Sequence, residues 1–100
     1  MAGSGIVPYP VFAQAFEAGS LQRVENIARQ MPTVSLRDAL RIVELMAREG
    51  DPRYARASQR WLDRLGAETD LGPRDREAAA AALLALPHRP DVIATVHPLL

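Results

Sequence analysis

Four arginines, Arg53, Arg56, Arg60 and Arg64, follow one another at spacings of three, four and four residues. On a helix that spacing gathers them into a narrow arc. A guanidinium is always charged, and its planar fork matches a phosphate or a carboxylate. The arc therefore suits the phosphates of a nucleic acid or the carboxylates of a protein partner. A third reading needs no partner. The arginines would form a solvated face whose methylene stems cover the edge of the core. Charge along the chain allows that reading too. Residues 37–64 hold seven arginines against five acids, and residues 65–100 hold three against five. The halves, at +2 and −2, could neutralise each other within one molecule.

Other reactive side chains are sparse. There is no cysteine, which removes disulfides, thiolate metal sites and a cysteine nucleophile. The two histidines are His88 and His97. Neither has a ligand at metal-binding spacing, beyond Asp91 three residues after His88, so neither a metal nor a cofactor is expected. No serine elbow, glycine-rich phosphate loop or paired carboxylate motif occurs. Glu68 and Asp70 fall in a polar loop, where two acids are ordinarily solvated. An enzyme is not expected.

The whole chain, 100 residues long, has formal net charge +0, and all its basic residues are arginine. A neutral chain draws in neither DNA nor a membrane surface. The longest apolar run, Ala78–Leu86, is nine residues, against the ~20 that a spanning helix needs. The opening MAGSGIVPYP has no basic start and is broken by prolines, unlike a signal peptide. Residues 1–8 are expected to be a flexible leader on a single cytoplasmic domain.

These side chains must be positioned by helices. Pro8 and Pro10 argue against a strand over 7–12. A first helix is predicted over Pro10–Ala18, with Pro10 in its opening turn and Gly19 past its end. Ser20 caps a second, in which Leu21, Val24, Ile27, Ala28 and Met31 recur at helical spacing until Pro32. Ser35 caps a third, with Asp38 in the reciprocal position of a capping box. Its apolar arc, from Leu36 through Leu40, Val43 and Met46, is widened by Ile42 and Leu45. So wide an arc predicts a central helix buried on much of its circumference. Glu44 and Arg48 stand in the favourable acid-first order for a helical pair.

Gly50 ends that helix. Asp51 is expected to cap the fourth, with Pro52 first and Gly66 at its end. Tyr54, Ala57, Ser58, Trp61 and Leu65 share its inner face. Pro73 opens a fifth helix that runs to Leu86, and Asp91–His97 has room for one or two more turns. The predicted fold is all-α, a bundle of five to six short helices around a central helical hairpin. Glu17–Ser20 and Arg48–Asp51 each end one helix and cap the next, and Val24, Ile27 and Met31 match Tyr54, Ala57 and Trp61 at an offset of 30. That period occurs in helical-hairpin repeats, although tetratricopeptide consensus residues are missing.

The hairpin compares poorly with a DNA-binding helix-turn-helix. Its turn is shorter than the usual ~3–4 residues, and Asp51 would face phosphate. The fifth helix, by contrast, is apolar on almost every side. A domain of this size buries only roughly 60–70% of its unfolded surface. Part of Ala78–Leu86, with Ala81 and Leu84, is therefore expected to remain outside, where apolar patches often mark interfaces.

The pattern VSLRDALRIVELMA…DPRYARASQRWLDRL, with its alanine-rich, lysine-free texture, resembles small all-helical proteins of high-GC actinobacteria over Phe16–Leu86. The resemblance implies a bacterial helical protein and carries no activity. The expected function is a protein–protein interaction or oligomerisation module, an adaptor or regulator. Its contact residues would be Arg53, Arg56, Arg60, Arg64, Ala81 and Leu84. The alternative is nucleic-acid binding through the arginine stripe of the helix over 52–65.

Overall fold

The computed structural model describes residues 8–100. The leader expected over 1–8 lies outside the described residues except for Pro8. Six α-helices follow in order: α1 (Tyr9–Glu17), α2 (Leu21–Ala28), α3 (Leu36–Glu49), α4 (Tyr54–Glu68), α5 (Pro73–Ala85) and α6 (Ile93–Val96). Single 3₁₀ turns, Pro90–Val92 and His97–Leu99, flank α6. The fold is an all-α bundle, with no strand among the described residues.

α1 pairs with α2 and α3 with α4 as helical hairpins, and both bends use one device. Gly19 and Gly50 take φ of +68° and +65°, the left-handed region that glycine enters without penalty. At the second bend the N–H groups of Gly50 and Asp51 donate to the carbonyls of Ala47 and Met46. At the first, Gly19 and Ser20 donate to Phe16 and Ala15. Both are Schellman closures, which satisfy carbonyls that a helix end leaves orphaned.

α3 lies between two cores. One gathers Leu40 and Val43 of α3 with Trp61, Leu65, Leu83 and Val96. The other gathers Leu45 and Met46 of α3 with Phe12, Phe16, Leu21 and Val24. The wide apolar arc read from the sequence is thus used on two sides. Trp61 is 2% exposed, and its indole N–H donates to the Leu36 carbonyl at 2.8 Å. Tyr54 closes the other end of α4 by donating to the Leu83 carbonyl at 2.6 Å.

Several boundaries differ from the sequence reading, each for a local reason. α2 stops at Ala28, short of Met31. The Gln30 side-chain amide donates to the Asn26 carbonyl, the acceptor its own backbone N–H would use in a continuing helix. Pro32 disfavours helical geometry just beyond. α4 begins at Tyr54, not Pro52, because the Asp51 carboxylate accepts from the Arg53 N–H at 2.8 Å and holds a turn. α4 also runs through Gly66 to Glu68. Its stop is Thr69, whose hydroxyl and N–H both donate to the Leu65 carbonyl.

Two side chains expected to support their own helices instead tie helices together. Ser35 caps α3 by accepting from the Asp38 N–H at 3.1 Å. The Asp38 side chain does not return the bond. It is buried, accepts from the Tyr9 hydroxyl at 3.1 Å and lies 3.5 Å from Arg41. Arg41 in turn stacks 4.0 Å over the Phe16 ring, a cation–π contact. This group fastens α1 to α3. Glu44 reaches His97 at 3.7 Å, and no Glu44–Arg48 ion pair forms among the described residues.

Candidate partner interface

The predicted contact residues fall into three groups. Arg53, at the start of α4, donates twice to Glu25 of α2, at 2.9 and 2.7 Å, and twice to Asp51, at 3.1 and 2.7 Å. It clamps the two hairpins together. Arg64 donates to Glu68 at 2.7 Å and to the Val34 carbonyl at 2.8 Å, holding the α2–α3 connector against α4. Arg56 and Arg60 are exposed and make no ion pair or side-chain hydrogen bond among the described residues. The stripe is therefore half structural and half free.

Isolated surface ion pairs contribute little. The Arg53 group is better organised than most, since one guanidinium is shared in fork geometry by two carboxylates. Its hydrogen bonds and charge hold the Asp51 carboxyl at about 2, below its ordinary 3.8. A carboxylate favoured in the folded state stabilises it above the unfolded value. That stabilisation is lost as pH falls through the folded value. The Asp51–Arg53 pairing is accordingly expected to hold above pH 4 and to be lost as acid approaches pH 2. Carbon-detected NMR should place the Asp51 midpoint near 2 and, in Arg53→Gln, return it toward 3.8. An unchanged midpoint in the variant would assign the shift to something other than Arg53.

Ala81 and Leu84 lie on the outer face of α5. Ala79, Ala82, Leu83 and Leu86 take the inner face, and Leu84 is 83% exposed. Beside Leu84 an apolar groove of about 420 Å³ runs between α4 and α5, walled by Ala55, Leu62, Ala80 and Pro87 with Tyr54 at one end. None of the four arginines lines it. Arg60 and Arg64 line a different groove, of about 200 Å³, on the opposite flank of α4. Val34, Ala39, Ile42, Val43, Ala57 and Trp61 complete that second groove.

Sequence reasoning missed this second groove. It lies between α3 and α4 beside Val34 of the α2–α3 connector, and only the surplus apolar position at Ile42 hinted at it. The Glu25–Arg53 clamp was equally hidden, since the partners are 28 residues apart on different helices. No group of three or more possible metal ligands occurs among the described residues. Among the described residues no helix is long and apolar enough to cross a membrane. In comparisons with known proteins, no family model, no curated protein and no solved structure matches this chain.

Proposed function

We propose that this protein is an interaction module that pairs with a second copy of itself through the α4–α5 groove, without catalysis. The observation that carries the reading is Leu84, a large side chain 83% exposed beside an apolar groove. A knob and a hole on one surface satisfy each other around a twofold axis, the commonest symmetry of soluble oligomers. Alanines at 80 and 81 let two α5 helices approach closely. A formal net charge of +0 leaves little overall repulsion between copies. Each Leu removed from water contributes about 1.5–3 kcal/mol, and a twofold buries two. Nucleic-acid binding is less well supported, since Arg53 and Arg64 are engaged within the chain.

Leu84→Glu tests the reading without threatening the fold, because the side chain is outside. Sedimentation equilibrium should show a dimer for the natural sequence and a monomer for the variant, with unchanged circular dichroism. A natural protein that stays monomeric at its highest soluble concentration would remove the proposal.

A further inference from the structure

We propose that the groove between α3 and α4 is a docking site for an acidic peptide segment of a protein partner, anchored by one large apolar side chain. It lies on the opposite flank of α4 from Leu84 and does not depend on self-association. Its volume, about 200 Å³, is below the ~300–1,000 Å³ of small-molecule pockets. It has room for a single side chain. The lining includes Val34, Ile42 and Ala57, all half-buried, and Trp61, which is almost wholly buried. Such a pit with a polar surround is how interfaces seat an anchor residue.

Charge selects the rest of the ligand. Of the four stripe arginines, Arg53 is neutralised by Glu25 and Asp51, and Arg64 by Glu68. Arg60, on the groove's edge, and Arg56, one turn before it, are left without an acidic partner among the described residues. Two free guanidinium forks one turn apart match carboxylates one turn apart on a helical peptide. The fixed pairs matter as much as the free ones. Arg64 already spans to the Val34 carbonyl, so the groove wall is held before any ligand arrives, which lowers the ordering cost of binding. The stripe's two uncompensated charges are few for a nucleic acid, where roughly 6–10 phosphate contacts drive strong, salt-steep binding.

The probe is a fluorescein-labelled helical peptide carrying one Leu, with Glu at the third and seventh residues after it. Its controls replace both Glu by Gln, or Leu by Ala. Anisotropy should show saturable binding of the Glu/Leu peptide, weakened roughly tenfold in either control, as expected when a charge-assisted pair or an anchor is lost. Trp61 fluorescence should shift on binding, because Trp61 lines the groove. Arg56→Gln and Arg60→Gln should each weaken binding, whereas Arg74→Gln on α5 should not. Leu84→Glu should leave the affinity unchanged even where it abolishes pairing of copies, so this site and the α4–α5 interface fail separately. No saturable binding, equal binding of the Gln peptide, or insensitivity to both arginine variants would overturn the proposal. So would competition by single-stranded DNA at lower concentration than the peptide, which would give the groove to nucleic acid.

Discussion

Trp61→Ala is expected to lower the unfolding free energy by about 3–5 kcal/mol, the range for removing a buried large aromatic. Small domains have about 5–15 kcal/mol in total, so the variant stands at the edge of unfolding at room temperature. Two losses combine. The ring leaves a void among Leu40, Val43, Leu65 and Leu83, which come from three helices and cannot all close in. The Leu36 carbonyl also loses the indole N–H that approaches it at 2.8 Å. Trp61→Phe separates the two. It keeps most of the ring and gives up the hydrogen bond, which by itself is worth about 0.5–1.5 kcal/mol. Urea denaturation followed by circular dichroism measures both variants. Natural stability in Trp61→Ala would mean that the α3–α4–α5 core does not depend on its largest member.

Phe12→Ala carries a similar total cost, about 3–5 kcal/mol, with a different spatial pattern. Phe12 is fully buried, its ring 4.8 Å from that of Phe16 and 6.1 Å from that of Tyr9. It belongs to the core between α1, α2 and α3 and is absent from the one around Trp61. The cores share α3 and meet at Tyr54 and Ala57. Hydrogen exchange in the variant should therefore rise first over 9–28, while amides of 58–83 stay protected until global unfolding. Uniform loss of protection would show instead that α3 transmits every disturbance and that the two cores melt as one.

Helix number, order and inner faces were readable because each rests on local chemistry. Gly50 and Ser35 sit where a helix must stop or start, and Trp61 repeats with Tyr54, Ala57 and Leu65 at helical spacing. The arginine arc was readable in the same way, as a geometric property of one helix. What its members do was not. Arg53 and Arg56 are neighbours on one arc of the sequence, yet one meets Glu25 and the other meets solvent, because the approach of α2 decides it. Asp38 shows the same limit. Its position suggests a capping box, but Glu or Gln usually supplies the reciprocal bond there, and Tyr9 arriving from α1 offers this carboxylate a different donor. The extent of α4 past Gly66 depended on Thr69, whose hydroxyl competes for a backbone carbonyl.

The helices of this bundle pack chiefly on their neighbours in the chain: α1 on α2, α2 on α3, α3 on α4, α4 on α5 and α5 on α6. Little of the polypeptide must search for a distant segment before it gains from contact. Folding speed follows from that topology, since loop-closure entropy is spent in small steps. Helical domains of such low contact order fold in microseconds to milliseconds, well ahead of β-sandwiches of equal stability. A chain leaving the ribosome can thus close each hairpin as its second helix emerges. The Schellman glycines at 19 and 50 set the direction of return at each bend.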